Sequence, residues 1–233
     1  MKILVFTDVH GCFNSLCALE KTDDFKNADK IVFLGDVLFG YSRPNECIEF
    51  LRKNNCHCLI GNNDAYVCCG ATSGQLKEMQ EQKKQQMQWF KEHISDENKS
   101  IVRKWDKYLQ LTVDNKKFCF AHFDWVDIDN EQRMSKICTK RDLEARKKMF
   151  KQFDAQYYFF GHEHNYNFFA NDQKQYYSVG SLGITNPGSY LLIDCNNNDV
   201  SIQQKFVDFD IDFEIDLLNK AGYPYDKSRL KKF

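Results

Sequence analysis

Five short apolar runs in this chain each end at a residue type that commonly binds metal ions. In chain order, the runs are followed by Asp8-Val9-His10-Gly11, Gly35-Asp36, Gly61-Asn62-Asn63-Asp64, His122 and Gly161-His162-Glu163-His164. Each run has the length of a buried strand, and open α/β sheets place their functional residues at the carboxyl ends of such strands. The pattern therefore predicts that the five segments converge on one metal centre.

The first 64 residues alternate between strand and helix patterns. Strands are predicted at residues 3–6, 31–34 and 59–60, and helices at residues 13–21 and 45–53. These strands lack internal polar residues. A mostly parallel sheet that is covered on both faces is therefore expected here.

The remainder of the chain predicts a helical segment and then a second set of strands. Residues 65–110 are interpreted as a helical insertion near the site mouth, with helices at 75–93 and 98–109, inside a single domain spanning 1–233. A hairpin turn is predicted at Asp114-Asn115, and a basic helix over residues 139–153, whose run from Arg141 to Lys151 is expected to face solvent. Further strands are predicted at 157–160, 167–170, 175–179, 190–195 and 200–206.

Composition excludes some classes of function. The chain has 233 residues and a formal net charge of −1, which gives no bulk electrostatic basis for binding nucleic acid or an anionic membrane. No apolar run approaches the roughly 20 residues of a membrane helix, and the first run is too short for a signal peptide. A cytoplasmic location, with the 10 cysteines reduced, is therefore expected.

The candidate ligands are too numerous for one tetrahedral ion. Asp8 and His10 lie two residues apart and point the same way in an extended turn, and Asp36 on the neighbouring strand can bridge two cations. The amide oxygen of Asn62 and the imidazoles of His122, His162 and His164 complete the set. Two ions about 3.5 Å apart would use all of these groups. His57 and His93 are interpreted as structural.

Two cations held that close together indicate a reaction type. They lower the pKa of a bridging water to about 7, so that a metal-bridged hydroxide becomes the nucleophile. They also stabilise the charge of a phosphoryl group during in-line attack. The sequence therefore predicts metal-assisted hydrolysis of a phosphate ester.

The ordered motifs resemble those of the calcineurin-like metallophosphoesterases, and the resemblance covers nearly the whole chain. The segments from Gly35 to Leu51 and from Ser178 to Gly183 are similar to parts of small stand-alone members, a branch that includes diadenosine-tetraphosphatase-like proteins and protein phosphatases. The resemblance implies an α/β fold, a four-layer α/β/β/α sandwich of two mixed β-sheets with flanking helices.

The resemblance also assigns the ligands. It implies that Asp8, His10 and His164 hold one ion, that Asn62, His122 and His162 hold the other, and that Asp36 bridges them. The expected cofactors are two divalent ions, Mn²⁺ first, with Fe, Zn, Ni or Co as alternatives. The expected catalytic residues are Asp36, Asn62, Asn63 and His122.

Three positions depart from the family pattern. Asn63 replaces a His thought to protonate the leaving group, and Phe39 replaces the Asp that pairs with that His in protein phosphatases. Phe123 replaces a Gly after His122. An asparagine cannot act as a general acid near neutral pH, so substrates with good leaving groups are favoured.

Three interpretations of function follow. The first is a phosphoesterase acting on small phosphodiesters or nucleotide anhydrides, in which Arg43 meets a distal phosphate and Phe123 stacks on a base. The second is a diadenosine-tetraphosphatase-like enzyme or a protein serine/threonine phosphatase. The third is a non-catalytic scaffold of the same fold, which the retention of all seven ligand types disfavours.

Overall fold

Strand and helix bounds follow from a computed structural model that describes residues 1–128, 131–134, 142–171, 173–196 and 199–224. The strands are β1 (Lys2–Phe6), β2 (Lys30–Phe33), β3 (His57–Cys58), β4 (Tyr108–Val113), β5 (Lys116–Ala121), β6 (Trp125–Ile128), β7 (Glu131–Met134), β8 (Tyr157–Phe160), β9 (Tyr166–Ala170), β10 (Gln175–Val179), β11 (Gly188–Asn196) and β12 (Asp199–Val207). The helices are α1 (Phe13–Glu20), α2 (Asp23–Lys26), α3 (Pro44–Lys53), α4 (Asn62–Ala65), α5 (Ser73–Glu78), α6 (Glu81–His93), α7 (Asp96–Val102), α8 (Leu143–Met149) and α9 (Ile211–Lys220), with a π-helical turn at Tyr66–Gly70.

The strands form two mixed sheets and a ribbon. The first sheet has the order β12-β11-β1-β2-β3, in which β1, β2 and β3 run parallel and β11 pairs antiparallel with both β1 and β12. The second sheet has the order β4-β5-β8-β10-β9, with β5, β8 and β10 parallel. Strands β6 and β7 form a separate antiparallel ribbon.

Alternating side chains place the two sheets between helices. On β1, Ile3 and Val5 lie in the core between the sheets, whereas Leu4 and Phe6 pack with helix residues on the other face. On β5, Phe118 and Phe120 lie in the same inter-sheet core, and the opposite face packs against α8. Because successive strand residues point to opposite faces, this alternation gives the α/β/β/α layers. The predicted fold class is confirmed.

The predicted strand–helix alternation over residues 1–64 is confirmed, with a shift at its end. The third strand is β3, two residues earlier than predicted, and Leu59 contributes an isolated bridge to Asp106. The predicted hairpin turn is also confirmed, since Asp114 and Asn115 join β4 to β5 with left-handed φ values of 47° and 62°.

Three helix predictions need correction. The helix predicted at 75–93 is divided into α5 and α6, because the backbone is extended at Met79 and Gln80. The helix predicted at 98–109 ends at Val102 in α7, and β4 begins at Tyr108. The apolar residues of this segment recur every second position, as in a strand, and Leu109 and Leu111 both face the inter-sheet core. The basic helix predicted at 139–153 is α8, and residues 139–141 lie outside the described part of the chain.

The segment between β3 and β4 is mostly helical, from α4 to α7. Its α6 residue Phe90 is fully buried and packs 5.2 Å, ring centre to ring centre, from Phe39 in the loop after Asp36. That this segment is an insertion within one domain stays a prediction. Across the described ranges, the helices are too short or too polar to cross a membrane.

Candidate metal centre

Turns that follow β1, β2, β5 and β8 carry six of the seven predicted ligands to one edge of the sandwich, and the seventh, Asn62, begins α4 after β3. Asp8 and His10 follow β1, and Asp36 follows β2. His122 follows β5, while His162 and His164 follow β8. Since the strands within each sheet run parallel at these positions, their carboxyl ends meet, as open α/β sheets generally arrange.

The backbone at these turns is strained. Five of the seven predicted ligands have left-handed φ, namely Asp8 (54°), His10 (52°), Asp36 (60°), His162 (69°) and His164 (58°). Each non-glycine residue in this region costs about 1–2 kcal/mol, and such conformations cluster at functional sites. The conformation that directs these five side chains into the cluster therefore carries a cost in backbone free energy.

The first group of ligand atoms is a close triangle. Asp8 Oδ1 lies 3.5 Å from His10 Nε2 and 3.1 Å from His164 Nε2, and the two imidazole nitrogens are 3.1 Å apart. Asp8 is fully buried and His164 is about one-third exposed. Three nitrogen and oxygen atoms that face one another at this spacing can share one cation.

The second group lies beside the first. His122 Nε2 is 3.4 Å from Asp36 Oδ2 and 3.3 Å from Asn62 Oδ1. His162 Nδ1 is 2.9 Å from the same amide oxygen of Asn62. Asp36, His122 and His162 thus form a second set that could hold a metal ion, with the Asn62 oxygen between its two imidazoles.

Asp36 connects the two groups. Its Oδ2 atom lies 3.4 Å from His122 in the second triangle and 4.0 Å from His10 in the first. A carboxylate oxygen that faces ligands of both groups has the position that a bridging ligand needs. The structure therefore brings all seven predicted ligands together.

Backbone carbonyls fix the tautomers of two imidazoles. His10 Nδ1 lies 2.9 Å from the carbonyl oxygen of Leu38 and 2.5 Å from that of Phe39, and His122 Nδ1 lies 3.0 Å from that of Leu34. Because a carbonyl oxygen accepts only, each Nδ1 carries the proton that it donates. In the neutral form of each ring, Nε2 then presents its lone pair to the cluster, as metal-ligating histidines do.

Charges in the cluster perturb one another. Burial opposes a charge on His122, but Asp36 beside it raises the pKa of the imidazole to about 9. Burial likewise opposes ionisation of Asp36, yet His122 lowers the pKa of that carboxyl to about 2. Burial and the charge on His122 lower the pKa of His162 to about 4. The buried carboxylates therefore favour positive charge at the centre of the cluster.

The donor set fits divalent cations. Asp8 Oδ1 is buried without a hydrogen-bond donor among the described residues, although its Oδ2 accepts from Thr7 Oγ1 at 2.7 Å and from the His162 amide at 2.9 Å. An ionised oxygen that is buried without a hydrogen-bond donor is costly unless a positive charge lies beside it. Mixed imidazole and carboxylate donors suit Mn, Fe, Zn, Ni or Co.

Gly61 permits the approach of Asp36. A Cβ at this position would lie 2.1 Å from Asp36 Oδ1 and 2.3 Å from its amide nitrogen. Any larger residue would therefore push the bridging carboxylate out of the cluster. This contact explains why glycine precedes Asn62.

Asp64 stabilises the turns that carry Asp36 and Asn62, a role that was not predicted from the sequence. Its carboxylate accepts backbone N–H groups of Asp36 (2.8 Å), Val37 (3.0 Å), Leu38 (3.1 Å) and Gly61 (3.0 Å). Gly61-Asn62-Asn63-Asp64 has the sequence of a turn, but three of the four donors lie in a distant segment, residues 36–38. Asp64 thereby joins the Asp36 turn to the Asn62 turn.

We expect Asp64→Asn to lower the free energy of unfolding by about 2–3 kcal/mol, because an amide group can accept only part of these four hydrogen bonds. Urea denaturation in the presence of chelator measures the change. Asp154→Asn, at an exposed surface ion pair with Lys117, is the matched control and should change stability by less than about 0.5 kcal/mol. Equal stability of the two variants would contradict this role for Asp64.

Asn63, predicted to be catalytic, lies against Asp36. Its backbone N–H donates to Asp36 Oδ1 at 2.9 Å and its side-chain amide donates to Asp36 Oδ2 at 2.6 Å. Asn63 is buried, with 7% of its surface exposed. The residue thus contacts the bridging carboxylate directly, and its catalytic role stays a prediction.

The two predicted substrate-binding residues have protein partners. Arg43 donates to the buried Glu214 and to Asn14, so its contacts give no support to a role in phosphate binding. Phe123 is buried, and its ring lies 4.4 Å from that of His162, centre to centre. Phe123 therefore packs against the imidazole of the candidate ligand His162. Both substrate-binding roles stay predictions.

One sequence interpretation is wrong at a single residue. The basic run from Arg141 to Lys151 was expected to face solvent, yet Arg146 in α8 is fully buried. Its guanidinium is paired with Glu163, between the two histidines of the last motif. The signal that could have revealed this pair is an acidic residue placed between two candidate metal ligands.

Comparisons of sequence agree with this geometry. A model of the calcineurin-like phosphoesterase superfamily domain matches residues 1–198. An uncharacterized protein of Methanocaldococcus jannaschii is 31% identical over 122 residues, which are 52% of this chain and 48% of that protein. A symmetrical bis(5'-nucleosyl)-tetraphosphatase of Actinobacillus pleuropneumoniae is 33% identical over 70 residues, 29% of this chain and 26% of that protein. The chain spans about half the length, or less, of these curated relatives.

Solved structures share the fold. A metallophosphoesterase from Sphaerobacter thermophilus superposes with a TM-score of 0.71 at 18% identity, covering 100% of this chain and 98% of that one. A hypothetical protein from Pyrococcus horikoshii superposes with a TM-score of 0.77 at 16% identity, covering 98% and 96%. At these identities the comparison establishes the fold.

Proposed function

This chain belongs to the calcineurin-like phosphoesterase superfamily, and on that basis we propose that it is a phosphoesterase with a dinuclear metal centre. The observation that carries the proposal is the pair of ligand groups, one of them containing Asp36, whose Oδ2 also faces the other group, 3.4 Å from His122 and 4.0 Å from His10. We propose Asp8, His10 and His164 as ligands of one ion and Asn62, His122 and His162 as ligands of the other, with Asp36 shared. Mn²⁺ is the first metal proposed.

Bound divalent ions supply two things in such a centre, a water of lowered pKa and neutralisation of phosphoryl charge. The chain's own residues prepare the site for them. The carbonyl oxygens of Leu38, Phe39 and Leu34 hold the protons of His10 and His122 on Nδ1. Asp64 and Asn63 fix both oxygens and the backbone of Asp36. Ligand directions are thus set before a substrate arrives.

The proposed substrates are phosphodiesters or nucleotide anhydrides with good leaving groups. Asn63 holds the place of a general acid but its amide cannot release a proton near neutral pH. The match to a bis(5'-nucleosyl)-tetraphosphatase, over 70 residues, is compatible with an anhydride substrate. A protein serine/threonine phosphatase is disfavoured, because Asn63 and the buried Phe39 replace both members of its His–Asp pair.

The test is a substrate panel. The chain with added Mn²⁺ is assayed against an aryl phosphodiester, an aryl phosphomonoester, a dinucleoside polyphosphate and a phosphoserine peptide. We expect hydrolysis of the diester or the dinucleoside polyphosphate, its loss with chelator, and little action on the peptide. Metal binding without hydrolysis of any member would support the scaffold interpretation instead.

Asn63→His should change the leaving-group dependence. A general acid at this position contributes about 10²–10⁴-fold, and most when the leaving group is a poor one. We therefore expect turnover of an alkyl phosphomonoester to rise by about 10²-fold or more, while that of an aryl ester changes little. The measurement is kcat for a series of esters with increasing leaving-group pKa.

Asn63→Ala is the control for that experiment, since it removes the hydrogen bond to Asp36 Oδ2 without adding an acid. If Asn63→His and Asn63→Ala gave the same slope of rate against leaving-group pKa, the missing general acid would not explain substrate choice.

A further inference from the structure

Arg146 is a fully buried charged residue on the outer face of the second sheet. Its guanidinium carbon lies 4.7 Å from the centre of the Phe160 ring and 5.4 Å from that of Phe169. Its Nη2 donates to the carboxylate of Glu163, which is 9% exposed. Arg146, on the short helix α8, thus lies against two aromatic rings and pairs with the carboxylate of Glu163.

Glu163 occupies a particular place in the candidate metal centre. It lies between His162 and His164, whose imidazoles belong to different ligand triangles. Both histidines have left-handed φ, 69° and 58°, and the Glu163 amide donates to the Gly161 carbonyl at 2.9 Å. The turn is therefore tight and strained. Such a backbone persists only when surrounding contacts determine it.

The ion pair is a poor device for stability alone. Arg146 Nε and Nη1 are buried without a hydrogen-bond acceptor among the described residues. Desolvating two charges costs free energy that their mutual attraction recovers only in part, and apolar residues of similar size commonly stabilise a fold as well or better. An ion pair that adds little stability points to another role. Its acidic member, Glu163, lies between two candidate metal ligands in the sequence.

We propose that Arg146 and Glu163 form a positioning pair that holds the 161–164 turn, so that His162 and His164 face two different metal ions. Arg146 acts from outside the cluster, through Glu163 and the backbone on either side of it. The proposal rests on the proposed dinuclear centre. It predicts that metal affinity and fold stability respond differently when the pair is replaced.

The experiment compares Arg146→Met, Glu163→Met and the double variant. Mn²⁺ binding is measured by titration calorimetry on metal-stripped protein, and stability by urea denaturation with chelator. Arg146→Met removes the cation paired with Glu163, and Glu163→Met removes the carboxylate paired with Arg146, so each single variant should lose stability. The double variant should regain stability while its Mn²⁺ affinity stays about 10–100-fold below that of the unaltered chain, the usual effect of losing an outer partner of a metal site.

Lys117→Met serves as the matched control, because it breaks an exposed ion pair with Asp154 elsewhere on the same sheet. It should change neither the affinity nor the number of ions bound. A double variant with regained stability and unaltered Mn²⁺ affinity would overturn the positioning role. If the double variant does not fold, Glu163→Gln decides in its place, a lowered affinity supporting the role and an unaltered one overturning it.

Failure of this proposal can be told from failure of the proposed function. An unaltered chain that binds no Mn²⁺ would refute the dinuclear centre itself. An unaltered chain that binds two ions, beside a double variant that binds them equally well, would refute the positioning pair alone.

Discussion

Asp36→Asn is expected to lower kcat/KM for the best substrate of the panel by about 10³-fold, a loss of roughly 4 kcal/mol of transition-state stabilisation. The substitution keeps the shape of the side chain and removes its charge. That charge belongs to the second ligand group and also faces the first, since Asp36 Oδ2 lies 3.4 Å from His122 Nε2 and 4.0 Å from His10 Nε2. A neutral amide bridges two cations poorly, so at least one ion should be lost. Initial rates with saturating Mn²⁺, together with elemental analysis of bound metal, measure both effects.

Asp154→Asn controls for the loss of one negative charge at a distance from the cluster, because Asp154 belongs to an exposed pair with Lys117. It should retain the full rate and the full metal content. An Asp36→Asn variant that hydrolysed the substrate at the unaltered rate would show that Asp36 does not serve the reaction. Loss of rate with two ions still bound would limit Asp36 to the chemical step.

Gly161→Ala is expected to lower Mn²⁺ affinity by about 100-fold. A Cβ at this position would lie 2.2 Å from Thr7 Oγ1, 2.8 Å from Asp8 Oδ2 and 3.1 Å from His122 Nδ1. The added methyl group must therefore displace residues of both ligand groups, in each of which the ligand atoms lie within 4.8 Å of one another. Overpacking at such a site also costs about 1–3 kcal/mol of stability. Calorimetric titration and urea denaturation measure the two effects separately.

Gly222→Ala is the control for that substitution. A Cβ there would lie more than 4 Å from every described residue apart from its chain neighbours, but the φ of 64° imposes a backbone cost. This variant should lose about 1–2 kcal/mol of stability and keep its metal affinity. If Gly161→Ala bound Mn²⁺ as tightly as Gly222→Ala, the ligand triangles would not depend on the close approach of the 161–164 turn.

The convergence of the ligands was predictable because it follows from one rule of sheet geometry. Apolar runs at β1, β2, β5 and β8 are short enough to be strands, and parallel strands end at a common edge. Polar residues after neighbouring strands, such as Asp8 after β1 and Asp36 after β2, therefore lie at one edge. The same rule gave the four-layer fold only with help from the family resemblance, since no local pattern shows which strands share a sheet.

Other features depend on contacts between distant segments. The left-handed backbone of Asp8 and His162 is imposed by the surrounding turns, and neither residue type demands it. Arg146 was interpreted as solvent-facing because its neighbours are basic, whereas its burial depends on Glu163, 17 residues later. The end of α7 was misplaced because Leu109 and Leu111 fit either a helix or a strand until the opposing sheet is known.

The most direct test of the dinuclear centre is anomalous diffraction from a crystal grown with Mn²⁺. The geometry predicts two anomalous peaks per chain, one beside Asp8, His10 and His164 and the other beside Asn62, His122 and His162, with Asp36 contacting both. A crystal that showed these side chains without either peak, at a Mn²⁺ concentration that saturates other manganese enzymes, would contradict the account.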